Sequence, residues 1–245
     1  MSDDIQTGPG RAPVSSLKRL WPLAVLLAGF IAFFVLDLDR YLSFGTLRDN
    51  RILLREWTAA NPWLSVLLYA AVYIAVVSFS LPGSTLMTIS GGFLLGPVIG
   101  AVTTVFAATS GAVVLFVSAK TVFGEVLHAK AGPAIRKMEA EFRKNELSYM
   151  FVLRLVPLFP FFVVNLAPAF LGVSLRNFVI ATFFGIIPAA CVYTLVGNGL
   201  GAVFDAGETP DLGIIFRPEI LGPILGLAAL AMIPVFYRRF RGARP

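Results

Sequence analysis

The chain is poor in the groups that do covalent chemistry. Its 245 residues include one cysteine, Cys191, and one histidine, His128. A lone cysteine excludes an intrachain disulfide and, lying in an apolar run, reads as inert packing. A lone histidine, read as a surface residue of a polar loop, argues against a histidine zinc cluster or a Ser-His-Asp triad. Charge is scarce too: 14% of residues are Asp, Glu, Lys or Arg, about half of what a soluble domain carries. No phosphate-cradling glycine loop and no nucleophile–base pair stands out. These absences point away from an enzyme, and the sequence assigns no catalytic residue, no metal and no cofactor.

Hydrocarbon takes the place of charge. Hydrophobic residues make up 57% of the chain and the mean hydropathy is +0.82. The expected fold is an all-α multi-pass membrane protein. The polar stretch 1–19 reads as a disordered cytoplasmic tail ending on Lys18-Arg19, and the run Leu20–Leu36 as an uncleaved first span, because Asp37 and Asp39 follow it instead of a small-residue cleavage site. Further apolar runs cover 63–81, 85–100, 101–119, 149–172, 178–196 and 220–237. Residues 20–237 are therefore expected to form one membrane domain, followed by a basic cytoplasmic tail at 238–245.

The formal charge of +6 suggests anionic headgroups as partners rather than nucleic acid, since the basic residues flank apolar runs. Connection 120–148 carries Lys120, Lys130, Arg136, Lys137, Arg143 and Lys144; the C-terminal tail carries Arg238, Arg239, Arg241 and Arg244 without an acid. Connection 197–219 is acidic, with Asp205, Glu208, Asp211 and Glu219 against Arg217. The excess of Lys and Arg on cytoplasmic loops places both termini and 120–148 inside an inner, multi-pass cell membrane. A basic amphipathic helix is expected over 127–149, lying on an anionic leaflet or packing on the bundle. Leu47, Leu54 and Trp57 hint at a shorter outer helix, and Trp21, Trp57 and Trp63 fit interface anchors.

The stretch "FVLRLVPLFPFFVVN" (151–165) is apolar, yet carries Arg154, Pro157, Pro160 and Asn165. Proline removes an amide donor and clashes with the preceding turn. Pro157 and Pro160 therefore read as the apex of a hairpin that enters the membrane and leaves on the same side. Pro82-Gly83 reads as a second such apex, although three full spans would also satisfy the count of crossings. "LPGSTLMTISGGFLLG" (81–96) and "FPFFVVNLAPAFLG" (159–172) each place an apex proline before a full crossing. The sum is about four crossing helices plus two re-entrant hairpins forming an inverted repeat, an arrangement that brings broken segments face to face.

Arg154 is the sharpest single feature. It could snorkel to headgroups, satisfy carbonyls freed by the two prolines, or attract a phosphate with its guanidinium. The amides of Gly83, Ser84 and Thr85 would open a half-helix and favour an anion, with Ser84 capping the helix as the plainer alternative. Asn165 could bond a ligand or another segment. Gly91, Gly92, Gly96, Gly100 and Gly111 would allow close helix contact.

The segments "FSLPGSTLMTISGGFLLGPVIGAVTTVFAATSGAVVLFVSAK" and "RLVPLFPFFVVNLAPAFLGVSLRNFVIATFFGIIPAACVYTLVG" resemble the DedA superfamily, in particular its VTT-domain (SNARE-associated Golgi protein) branch, over roughly residues 60–200. The resemblance rests on Pro82-Gly83 with Gly91-Gly92-Phe93 and Gly96, and on Arg154 with Pro157, Pro160 and Asn165. It implies two re-entrant hairpins, an intramembrane arginine at Arg154, and lipid movement between leaflets, with phospholipids or an isoprenoid phosphate lipid as partners. Lys120 stands where relatives often carry arginine, and the acids of proton-linked members are missing from the first hairpin. The expected function is a scramblase-like lipid translocase. An ion- or proton-coupled solute transporter, or a non-transporting membrane organiser working through 127–149, are the alternatives.

Overall fold

The computed structural model describes residues 16–130, 139–140, 142–208 and 210–241, and every regular element among them is helical. In chain order these are α1 (Ser16–Val35), α2 (Phe44–Asp49), α3 (Arg51–Ala60), α4 (Pro62–Ser78), α5 (Ser84–Leu95), α6 (Pro97–Lys130), α7 (Glu146–Leu155), α8 (Phe161–Phe170), α9 (Leu175–Gly185), α10 (Ile187–Asn198), α11 (Leu200–Asp205) and α12 (Pro218–Arg241). Among the described residues, three stretches are long and apolar enough to cross a membrane: Pro97–Thr121 in α6, Leu175–Asn198 across α9 and α10, and Pro218–Tyr237 in α12. In α1 the apolar part is Ala24–Val35, shorter than these three stretches. The protein is an all-α multi-pass membrane protein.

α6 is the post around which the two halves are arranged. α4 runs parallel to it: the Tyr69 hydroxyl lies 2.7 Å from the Thr104 hydroxyl, and nine residues on the Ser78 hydroxyl donates to the Gly111 carbonyl at 3.4 Å. The chain then reverses over Phe79–Gly83. Ser80 and Gly83 take positive φ there (55° and 111°), and the missing Cβ of glycine makes the second affordable without strain. α5 returns antiparallel to α4, since Tyr73 reaches the Ser84 carbonyl and Tyr69 the Met87 carbonyl. Gly111 is 14 residues into α6, so the apex lies about 21 Å from the Pro97 end at 1.5 Å per residue.

The second hairpin comes from the opposite end of α6. Its two ends are tied together: one Glu146 carboxylate oxygen, in the first turn of α7, accepts from the Ser174 amide (3.1 Å), the Ser174 hydroxyl (2.9 Å) and the Asn177 side-chain amide (2.8 Å). Lys120 pins the same level by donating to the Val173 carbonyl at 2.6 Å. α7 then runs alongside α9 until Arg154 stands against Gly185. The break at 156–160 turns the chain, and α8 brings it back. The half-elements pack crosswise. α5 lies on α10, where a Cβ at Gly92 would collide with the Thr194 carbonyl and one at Gly197 with the Ile89 carbonyl, while α8 lies on α6.

Boundaries differ from the expected ones where glycine and proline act together. The crossing helix begins at Pro97, not Ala101, because Gly96 breaks the chain at φ 83° and Pro97 suits a first helical position. No atom lies near Gly96, so it serves the turn rather than close packing. α6 continues to Lys130, so residue 128 is helical rather than in a loop; the side chains of 122–130, His128 included, lie outside the described residues. The middle of the expected basic helix over 127–149 also falls outside them, as do most of the first tail and the end of the last. Cys191 is exposed rather than packed inside. The expected short helix is split into α2, which carries Leu47, and α3, which carries Leu54 and Trp57; α3 is bent 120° from α4, with Arg51 paired to Asp205 at 2.8 Å. Trp21 and Trp63 are exposed, as interface anchors require.

In a Cys191→Ser background, cysteines at the exposed positions Ala60 and Arg176 should label with an impermeant maleimide from opposite sides of sealed vesicles. Labelling of both from one side would sink the two-sided arrangement.

Candidate functional site

Arg154 does not satisfy the carbonyls freed by Pro157 and Pro160. Its Nε and Nη2 are enclosed and have no hydrogen-bond partner among the described residues. The guanidinium instead lies over the face of Phe178, 5.1 Å from the ring centroid. Phe178 also stacks on Phe116, centroids 4.2 Å apart and planes 24° apart, and the Lys120 ammonium stands 5.4 Å from the Phe116 ring. Two cations thus flank one stacked aromatic pair. A desolvated cation–π contact contributes up to about 2 kcal/mol, which holds the guanidinium in place without consuming its in-plane donors.

Unpaired hydroxyls line up with this stack. On α6, Thr109, Phe116 and Lys120 recur at seven and four residues and so share one stripe; on α9, Phe178, Thr182 and Gly185 recur at four and three. The two stripes meet at the ring pair, and neither Thr109 nor Thr182 has a partner for its buried hydroxyl. Asn165 is 0% exposed on the face of α8 that packs against α6, and neither atom of its amide has a partner. Of the two partners the sequence allowed for Asn165, the bond to another segment is not made. A buried polar group left unpaired costs about 1–3 kcal/mol, so this is a region able to take a polar guest.

Gly83, Ser84 and Thr85 are not part of that region. They lie at the apex of the first hairpin, with Leu42 against Gly83. Gly83, not Ser84, is the N-cap residue, no side chain caps the helix, and the Ser84 carbonyl accepts from Tyr73 and Thr88. Among the described residues no hydrogen bond or ion pair joins Gly83–Thr85 to Arg154 or Asn165. α6 stands between them: Gly111 faces Ile74 and Val77 of the first hairpin, whereas Phe116 is about 140° further round the helix at 3.6 residues per turn. The Gly83–Thr85 amides and the Arg154 guanidinium, each expected to favour an anion, are thus two separate polar spots, of which the Arg154 side carries the charge. Pro82 and Pro160 are exposed at their apices and Pro157 is half-buried. Sequence reasoning missed Phe116, Phe178 and Glu146; phenylalanines are too frequent in this chain, 22 in all, for any pair to announce itself.

Glu146 closes the mouth of this site and lies outside the three crossing helices. Burial alone would raise its pKa, but hydrogen bonds from Asn177 and Ser174, with the Arg143 charge, hold the carboxyl below the usual range.

A model of the VTT domain matches residues 81–199. An uncharacterized membrane protein of Arabidopsis thaliana is 28% identical over 98% of this chain and 88% of its own length. The transmembrane protein 41 homolog of Caenorhabditis elegans is 30% identical over 69% of this chain and 67% of its own length. The transmembrane protein 41 homolog of Dictyostelium discoideum is 28% identical over 75% of this chain, which spans about half (53%) of that relative. No solved structure matches.

Because its folded pKa is depressed, the contribution of Glu146 is complete above about pH 5 and is lost as pH falls through the lower folded value. Glu146→Gln should lower stability at neutral pH by about 1–2 kcal/mol and flatten the acid limb of a melting-temperature profile. An unchanged acid limb would show that the contact does not close the hairpin.

Proposed function

The chain belongs to the VTT-domain family, and from that premise and the buried guanidinium we propose that it moves phosphate-headgroup lipids between the leaflets of its membrane. The observation that carries this reading is Arg154: its Nε and Nη2 are enclosed and unpartnered, as is the Asn165 amide of the same hairpin. Intramembrane charges of this kind mark pathways more often than packing. Guanidinium donors in one plane suit a phosphate, and the flat ring beneath them leaves that plane open.

The geometry supports a route. Two hairpins enter from opposite faces and their apices overlap in depth along α6, which shortens the hydrocarbon a headgroup must pass. Acyl chains stay in the lipid while the headgroup passes between the mouth at Glu146 and Arg154. The lipid is a phospholipid or an isoprenoid phosphate, held in an inner cell membrane. Both termini and the mouth of the second hairpin face the cytoplasm, where Lys and Arg accumulate along the sequence, and the basic connection draws anionic headgroups toward that mouth.

Proteoliposomes holding a fluorescent phospholipid and a membrane-impermeant quencher test the reading. The protein should speed the loss of inner-leaflet fluorescence. Arg154→Ala should slow it about tenfold or more, the scale of a lost charged hydrogen bond, and Arg154→Lys should restore little, since an ammonium cannot match the stacked fork. Equal exchange with and without protein would end the proposal; full exchange by Arg154→Ala would leave the arginine structural.

A further inference from the structure

A second polar site lies away from Arg154. A cleft of about 320 Å³ opens at the mouth of the second hairpin, lined by Arg143, Lys144, Asn145, Ser148, Asn177 and Pro234. That volume is at the lower end of pockets that take small organic molecules, about 300–1,000 Å³, and far exceeds what a monatomic ion needs. We infer that this cleft binds the phosphate-bearing headgroup of an anionic phospholipid from the adjoining leaflet.

The charge of the cleft favours an anion. Glu146 also lines it, but its Oε2 receives three hydrogen bonds from Ser174 and Asn177 and so faces the start of α9. Arg143 is 56% exposed at its side chain and stands 3.7 Å from Glu139, a long pair that leaves donors of the guanidinium in the cleft. Lys144 also lines the cleft. The first amides of α7 have no acceptor within their own helix and present the positive end of its dipole to the same space.

The rim argues for a lipid rather than a free phosphate. Leu147 lines the cleft and is exposed. Beside Pro234, α12 exposes Ile233 (54%) and Phe236 (55%). A headgroup in the cleft would therefore have acyl chains against an apolar helix face. A lipid seated there also touches Glu146 and Asn177, the pair that ties the hairpin shut. The inference stands without the translocation reading, because no headgroup need reach Arg154.

The test uses the full chain in phosphatidylcholine nanodiscs doped with phosphatidylglycerol, with retained lipid read by native mass spectrometry after mild delipidation. Wild type and Arg154→Ala should retain phosphatidylglycerol over phosphatidylcholine. Arg143→Ala with Lys144→Ala should lose about fivefold of that retention, the scale of two partly exposed charge contacts, and wild-type retention should weaken with salt. Arg48→Ala with Arg217→Ala, exposed arginines remote from the cleft in sequence, is the control and should retain lipid normally. Should the double variant fail to assemble, Ser148→Trp fills the cleft without removing a charge and must give the same loss. Retention unchanged by either cleft variant, or equal retention of both lipids, overturns the inference. Displacement of phosphatidylglycerol by inorganic phosphate, but not by chloride of equal ionic strength, assigns the cleft to a free phosphate and overturns the lipid assignment.

Discussion

A chain that reverses inside hydrocarbon must hide the backbone at its turning point, because no water is there to satisfy it. This protein reverses twice, at 79–83 and at 156–160, and the rest of the fold follows from shielding those turns. Tyrosine, threonine and serine hydroxyls of the first half are spent on the carbonyls of α5 and α6. Lys120 is spent on the carbonyl of Val173, where α8 gives way to α9. Gly92 and Gly197 let α5 and α10 approach until backbone touches backbone. Such contact excludes lipid from both half-helices and stands in for the hydrophobic force that bundles lack in a membrane.

The same constraint is met unequally in the two halves. Around the first hairpin, Tyr69 pairs with Thr104 and Met87, and Tyr73 with Thr88 and Ser84, and among the described residues only the Ser80 hydroxyl at the turn is enclosed without a partner. Around the second, Nε and Nη2 of Arg154, the Asn165 amide and the hydroxyls of Thr109 and Thr182 are enclosed and unmatched. Packing density cannot explain the difference, since Phe116, Phe178 and Val173 beside them are fully buried. A half with one unmatched hydroxyl and a half with a guanidinium, an amide and two hydroxyls unmatched, built from similar parts, separate a fixed frame from a half that retains capacity for a polar partner.

Much of this architecture is legible in the sequence because it is written in proline, glycine and charge. Pro82-Gly83 and Pro157 with Pro160 mark both reversals, and Arg154 is conspicuous in an apolar run. Side-chain pairing is not written that way. Ser174 is hydrogen-bonded to Glu146 from 28 residues away, and nothing local in either segment encodes the other. Ser84 looks like a cap, but Gly83 takes the cap position because only its φ of 111° completes the reversal. Linear order is also blind to azimuth: Gly111 and Phe116 are neighbours in sequence and face different hairpins.

The stacked pair explains how a cation persists at that depth. An arginine paired with a carboxylate would be neutralised and would hold its partner's geometry instead of a guest's. Over Phe178 the guanidinium gains attraction through its face while its edge keeps its donors. Phe116 passes the arrangement to a second element, and Lys120 fastens its far side to Val173. The stack therefore ties α6, α9 and the end of α8 to the helix that carries Arg154. A shift of α7 must slide the guanidinium off the ring or drag the ring pair with it. Position, not charge balance, keeps this arginine where it is, and a residue held by position alone has its hydrogen-bonding capacity left for whatever enters.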